Sequence, residues 1–179
     1  MTRYLLLFLL LLGLGACKPS KEKLSEQITA MENRLFSPDA QGLSQASVDS
    51  LIASYESYAS RFPDDPGTPD YLFKAAGIAM NTGNGARAIE LYDRLMAGYA
   101  AHPKAELALF FKGYVQENLM KNLEQAKETY LLFIEKFPDN EFADDARASI
   151  DNLGKTPEQM IREFEAKRMA DSAAMAEKK

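Results

Sequence analysis

A pentapeptide that recurs at a fixed spacing limits the fold of this chain more than any other feature. AIELY at residues 88–92 returns as AKETY at residues 126–130, which is 38 positions later. Phenylalanine, proline and aspartate follow Tyr55 and Tyr130 at the same interval. A period of roughly 34 to 40 residues indicates stacked helix pairs, because each pair cannot bury its apolar face until the next repeat covers it.

Helical periodicity also extends outside this repeat. Leucine, isoleucine and methionine at positions 24, 28, 31 and 35 fall on one face of a helix. A second helix is predicted to begin near Ser44 or Ser47, after a break at residues 37–42, and to end before Pro63, since the residue preceding a proline avoids the helical region. No segment alternates apolar and polar residues over a strand's length, so the sequence predicts an all-α fold.

Residues 70–153 resemble the tetratricopeptide repeat family. The matching residues are Leu72, Ala75, Ala76, Ala79, Gly83, Ala88 and Tyr92 in one repeat, and Phe110, Gly113, Ala126, Tyr130 and Pro138 in the next. The resemblance implies a solenoid of antiparallel helix pairs, with about three to four repeats and a C-terminal capping helix. The stretch from 126 to 153 is also similar to periplasmic helical-repeat lipoproteins of outer-membrane assembly and to the Tol-Pal coordinator family.

Two departures from the repeat pattern make separate predictions. The interval from Gly113 to Ala126 is one residue too long, which predicts an insertion near residues 119–122. His102 and Pro103 come about three residues late, which predicts an unusually long helix from Gly85 to Ala101.

The N-terminus resembles the signal peptide of bacterial lipoproteins. Arg3 precedes an apolar run from residue 4 to residue 12, and LGAC at residues 14–17 resembles a lipobox that ends at the only cysteine of the chain. The resemblance implies cleavage before Cys17, a diacylglycerol on its thiol and acylation of the new amino group. The apolar run is too short for a transmembrane helix, which needs about 20 residues, whereas an ordinary signal peptide with an incidental cysteine stays open.

These patterns divide the chain into five segments. They are a lipoprotein signal peptide (1–16), a lipidated tether (17–23), a degenerate helical repeat (24–65), tetratricopeptide-like repeats (66–155) and a C-terminal helix with a frayed end (156–179). Thr68 and Thr156, each followed by proline, are predicted N-caps, and Gln159 completes a capping box with the second. Gly154 is predicted to end a helix in the left-handed conformation.

The last predicted helix has an apolar face of its own. Met160, Ile161 and Phe164 lie within one turn of each other and are expected to cover the last repeat.

Composition gives no support for catalysis or for a cofactor. The chain has one cysteine, assigned to the lipid, and one histidine, and no histidine or cysteine cluster has the spacing of a metal site. His102 stands before Pro103 at a helix start, where capping or solvent contact is expected. A net charge of −5 without a basic cluster argues against nucleic acid as a partner. The prediction is therefore a non-enzyme with no metal, no cofactor and no small-molecule substrate.

Binding of another protein or peptide is the class of function that the composition leaves open. In tetratricopeptide arrays the first helix of each repeat lines a concave face, and this resemblance assigns groove positions. They are Phe73, Gly77, Met80 and Asn81 in one repeat, and Phe110, Tyr114, Glu117 and Asn118 in the next, where the insertion leaves the register open by one residue. Each apolar member could instead belong to the core.

The function predicted from these features is a lipid-anchored periplasmic scaffold that holds a protein or peptide at a bacterial membrane. Lys18 follows the lipid site, and the absence of aspartate there resembles the default for sorting to the outer membrane. Assembly of envelope or outer-membrane proteins is one role. Two alternatives stay open, an accessory subunit of an uptake or secretion complex and a modulator of a cell-wall enzyme.

Overall fold

The computed structural model describes residues 19–37 and 44–177. These residues form eight helices and no strand, as the sequence predicted: α1 Lys21–Leu35, α2 Gln45–Arg61, α3 Thr68–Asn81, α4 Gly85–Gly98, α5 Pro103–Asn118, α6 Leu123–Lys136, α7 Ala143–Asn152 and α8 Pro157–Glu177. The predicted signal peptide, Cys17, residues 38–42 of the predicted helix break and the last two residues lie outside the described part.

The chain divides into two compact units, and the first ends at Pro63. Its helices α1 and α2 pack against each other through the predicted faces. Ile28, Leu51 and Tyr55 are almost completely buried, and the Tyr55 hydroxyl lies 2.6 Å from a Glu32 carboxylate oxygen to which it donates. The helix pair is therefore closed by apolar packing and by a hydrogen bond between the two helices. Its origin as a degenerate repeat stays a prediction.

The first helix begins earlier than the sequence suggested. Residues 21–23 were assigned to the tether, but they form the first turn of α1. Ser20 is the N-cap, and its hydroxyl oxygen accepts a hydrogen bond from the Lys23 amide at 3.3 Å. Serine at this position satisfies an amide that the helix leaves without a partner, and Pro19 lies before the N-cap, where it removes no helical hydrogen bond.

In the second unit, each helix from α3 to α6 packs against the next, and α3 also contacts α5. Small residues occupy these contacts, and Ala76, Ala88 and Ala126 are fully buried. A Cβ atom on Gly113 would lie only 2.8 Å from the Tyr130 ring, so glycine is needed for this approach of α5 to α6. The close helix pairs confirm the prediction of an all-α solenoid of tetratricopeptide type.

The turns within the two helix pairs α3–α4 and α5–α6 locate the insertion. Asn84 and Asn122, which are 38 positions apart, both cap the following helix through their side-chain oxygens. Gly83 and Lys121 precede them and both have positive φ, 80° and 55°. The α5–α6 turn has one residue more than the α3–α4 turn. The insertion is therefore where the sequence placed it.

The predicted extension of α4 is wrong. The helix has 14 residues and ends at Gly98, with Tyr99 as its C-cap. The additional residues lie in the connection to α5, where His102 caps the next helix by accepting a hydrogen bond from the Lys104 amide at 3.2 Å. The capping role of His102 is therefore confirmed, and the delay before Pro103 comes from a longer turn.

Lys121 offers a test of the turn. A residue with a side chain is strained at positive φ, whereas glycine is not. We expect Lys121→Gly to raise the free energy of unfolding by about 0.5–1 kcal/mol. The same change at the exposed Lys127, which lies in α6, is expected to lower it by about 1 kcal/mol. Urea denaturation of both variants measures the difference, and destabilisation by both would contradict the left-handed turn.

Two of the predicted caps have the expected geometry. Gly154 has φ of 75° and follows α7. The Thr156 amide donates to the Gln159 side chain at 2.8 Å and the Gln159 amide donates to the Thr156 hydroxyl at 3.3 Å, which is the reciprocal pattern of a capping box.

Thr68 differs, because it is the first residue of α3, is fully buried and leaves the N-cap position to Gly67. The Asp65 carboxylate instead organises this turn by accepting the Gly67 amide hydrogen bond at 2.9 Å.

The C-terminal helix does not cover the last repeat in the way that was expected. Met160, Ile161 and Phe164 are all exposed, and Phe164 has 67% of its surface accessible. Only the first two turns of α8 carry this apolar face, and the later turns carry mainly alanine and charged residues, with Met169 and Met175 also exposed. So small an apolar area gives little free energy for packing. The start of the helix is instead held by an ion pair between Lys155 and Glu163.

Candidate functional site

The first helices of two successive repeats lie side by side, which is the arrangement that a groove requires. The rings of Phe73 in α3 and Phe111 in α5 meet edge to face, with their centroids 5.9 Å apart. The Lys104 ammonium, also from α5, lies 4.7 Å from the centroid of the Phe73 ring. Helices α3 and α5 therefore share one surface, and the residues one turn further along each helix lie beyond this aromatic contact.

One predicted groove residue belongs to the core. Phe110 is only 7% exposed, and its ring packs against Tyr130, Phe133 and Phe142. Its assignment to the groove is therefore wrong. The half-buried Phe111 is the residue of α5 that faces Phe73, because a shift of one residue turns a side chain by about 100° around a helix.

Phe73 and Met80 lie between the core and the exposed surface. Both are half-buried, and the Phe73 ring also packs against Tyr92 at 5.9 Å. They support the helix contact and expose only part of their surface. The interpretation of single apolar groove positions as core residues is therefore correct for Phe110 and partly correct for these two.

Glu117 serves the packing between α5 and α6. Its carboxylate accepts a hydrogen bond from the Tyr130 hydroxyl at 2.9 Å. Burial raises the pKa of Tyr130, and the bond to Glu117 raises that pKa further. The phenol therefore stays protonated as a donor near neutral pH, and it holds Glu117 against the repeat core.

Four of the predicted residues, on α3 and α5, are exposed or half-exposed. A Cβ atom on Gly77 would meet no other atom within 4 Å, so space is open above the middle of α3. Asn81 is exposed one turn further along, and Tyr114 of α5 is 42% exposed. The Asn118 amide donates to the Tyr114 carbonyl oxygen at 3.1 Å. We call Gly77, Asn81, Tyr114 and Asn118 the groove face.

The sequence analysis missed an apolar cluster at the end of α5. Leu119, Met120 and Leu123 lie in or beside the inserted turn and are all partly exposed. Met120 and Leu123 lie close to two neighbouring glycines. A Cβ atom on Gly85 would be 2.9 Å from the Met120 sulfur, and a Cβ atom on Gly154 would be 3.2 Å from Leu123. Three large apolar residues around a turn that ends at Asn122 were the available signal, since turns favour small polar residues.

Several charged groups of α5 are paired or lie over aromatic rings. Lys112 forms an ion pair with Asp93 at 2.7 Å, and Glu106 accepts a hydrogen bond from Asn140 at 2.9 Å. Among the described residues, no group of histidine, cysteine, aspartate and glutamate side chains could hold a metal ion. The chemistry that this surface offers is an aromatic ring, amides and open backbone.

The family comparison covers most of the chain. Residues 29–178 match the model of the YfiO family, described as outer membrane lipoprotein. No individual curated protein matches the chain significantly. Within the residues that the structure describes, no helix is long and apolar enough to cross a membrane. The chain belongs to the YfiO family of outer membrane lipoproteins.

Proposed function

We propose that this chain is a lipid-anchored scaffold at the periplasmic side of the outer membrane, and that its groove face binds a peptide segment of another envelope protein. The observation that carries the proposal is the open space above Gly77, beside a helix that presents the exposed ring of Tyr114. The family description supports an outer membrane lipoprotein. The lipid on Cys17 would supply the membrane attachment.

The chemistry of the groove face favours a peptide over a small molecule. Binding energy in protein interfaces concentrates in a few large anchors, and a tyrosine is among the most effective. Asparagine amides such as those of Asn81 and Asn118 can bond the main chain of an extended or helical segment. Backbone exposed at Gly77 lets such a segment approach α3 closely. A role in protein assembly at the outer membrane would use this capture to hold a partner near the lipid surface.

Filling the open space tests the groove directly. We expect Gly77→Leu to block a bound segment without harming the fold, because its Cβ meets no atom. Removal of a mid-helix glycine should even stabilise the protein by up to about 1 kcal/mol. A photo-crosslinking amino acid at the exposed Asn81 in living cells would report the partner as an adduct of defined mass. This adduct should disappear in the Gly77→Leu background.

Gly98 provides the matched control. It is an exposed glycine at the end of α4, and a Cβ there also meets no atom. The Gly98→Leu variant should keep the adduct formed at Asn81. A crosslinker at Lys127, which is exposed on α6, should give no adduct of that mass. The groove assignment fails if Gly77→Leu leaves the adduct unchanged, or if both glycine variants remove it equally.

A further inference from the structure

The hydrogen bond that joins the two ends of the first unit bears on how the protein stands on its membrane. The Arg61 guanidinium, at the end of α2, donates to the carbonyl oxygen of Pro19, which precedes α1. The same guanidinium lies 5.2 Å from the centroid of the Phe62 ring. Pro19 is half-buried at this contact. The chain is therefore fixed to the helix pair two residues after Cys17.

The connection between Cys17 and Pro19 is too short to act as a flexible linker. Two residues span at most about 7 Å. The headgroup layer on each side of a bilayer is about 5–8 Å thick. A lipid on Cys17 would therefore bring Pro19 to the outer boundary of the headgroups, together with the first turn of α1.

This end of the helix pair carries positive charge. Lys21 and Lys23 are exposed in the first turn of α1, and Arg61 is bonded to Pro19, two residues before Lys21. Glu22 is the acidic residue of that turn. Each lysine or arginine near an anionic bilayer is attracted to it electrostatically. The first turn of α1 and Arg61 thus offer three cations and one carboxylate to phosphate groups, although Asp64 and Asp65 follow α2 and the whole chain is acidic.

We propose that this end of the first unit, formed by Pro19, Lys21, Lys23 and Arg61, rests directly on anionic phospholipid headgroups. Arg61 fixes the angle between the lipid anchor and the helix pair, and the two lysines contact phosphates. The inference rests on the proposed lipidation of Cys17 and adds an orientation to it: α1 points away from the bilayer from its first turn onward.

A pair of labels on one helix tests the orientation. Glu26 and Asn33 are both exposed, and seven residues separate them, so they lie on the same face of α1 and about 10 Å apart along its axis. Because the chain has a single cysteine, Glu26→Cys or Asn33→Cys adds a unique free thiol to the lipidated protein. The labelled full chain is reconstituted in vesicles of phosphatidylethanolamine and phosphatidylglycerol that contain a headgroup quencher. We expect quenching at 26 to exceed quenching at 33 several-fold.

Two further variants separate the role of the hydrogen bond between Arg61 and Pro19 from the role of the lysine charges. Arg61→Gln should bring the quenching at positions 26 and 33 close to equal, while a thermal melt checks that the helix pair remains folded. Lys21→Gln with Lys23→Gln should reduce the quenching at 26 in anionic vesicles and have no effect in neutral phosphatidylcholine vesicles. Arg34→Gln, at the exposed far end of α1, is the matched control and should change neither value.

The outcomes distinguish this inference from the proposed function. Equal quenching at 26 and 33 in the unaltered protein, with the protein still floating with the vesicles, would overturn the orientation and leave the lipid anchor intact. Insensitivity of the lysine variants to lipid charge would overturn the headgroup contact. Failure of the purified membrane form to carry a lipid or to float with vesicles would contradict the anchor itself, and the orientation with it.

Discussion

Cys17→Ser is expected to abolish the attachment of the protein to the membrane through a lipid. A serine hydroxyl does not replace the thiol as acceptor of the diacylglycerol, so neither lipidation nor the cleavage that depends on it should occur. Each buried CH₂ of an acyl chain contributes about 0.8 kcal/mol, so loss of several chains removes most of the membrane affinity. The attraction of Lys21, Lys23 and Arg61 to an anionic surface, about 1 kcal/mol for each, would not replace the acyl chains.

Metabolic labelling with a fatty acid, together with membrane fractionation, measures this effect. The label should be absent from Cys17→Ser, and the protein should appear either unprocessed or in the soluble fraction. Lys18→Ala keeps the thiol at the adjacent position and should retain both label and membrane attachment. An equal amount of label on the serine variant would remove the lipid assignment, and with it the orientation proposed for the first unit.

The features that sequence predicted well are those that depend on local chemistry. The helix ends at Pro63 and Gly154, and the reciprocal capping at Thr156, follow from backbone preferences of a few neighbouring residues. The repeat at 38 positions was readable because the buried Ala88 and Ala126 must be small wherever two helices approach closely. Their burial fixes the register of both helix pairs.

Other features depend on contacts that a local pattern does not contain. Phe110 and Phe111 are adjacent aromatic residues, and only the packing of α5 against both neighbouring helices decides which one is buried. The start of α1 at Lys21 was missed because Pro19 and Ser20 together suggest a break in the helix, whereas Ser20 caps the helix that follows it. The bond from Arg61 to Pro19 joins residues 42 positions apart, so no sequence spacing indicates it.

The exposure of the groove face likewise depends on contacts between helices, which the repeat pattern does not contain. The repeat pattern correctly places Gly77 and Tyr114 on first helices, and it gives their equivalence between repeats. Whether space remains above Gly77 depends on how far the neighbouring helices lean over α3, which the sequence period does not specify. For the same reason, exposure of Phe164 on α8 could not be predicted from its apolar face.

The largest loss of stability is expected from Phe133→Ala. Phe133 is fully buried in α6, and its ring packs against Phe110 at 5.5 Å and against Phe137 at 5.8 Å. Its truncation would leave a cavity between α6 and its neighbours, since close-packed helices collapse only partly around a missing ring. Phenylalanine-to-alanine changes in such cores lower the free energy of unfolding by about 3–5 kcal/mol. Urea denaturation followed by far-UV circular dichroism measures the change as a shift in midpoint at constant slope.

Leu132 is the matched control, because it precedes Phe133 in the same helix and is 40% exposed. Leu132→Ala should change the free energy of unfolding by less than about 1 kcal/mol. Comparable losses for the two variants would mean that α6 is rotated from the register fixed by Ala126. The core residues Tyr130 and Phe133 would then face outward, and the relation of α5 to α6, on which the position of Tyr114 in the groove face depends, would be lost as well.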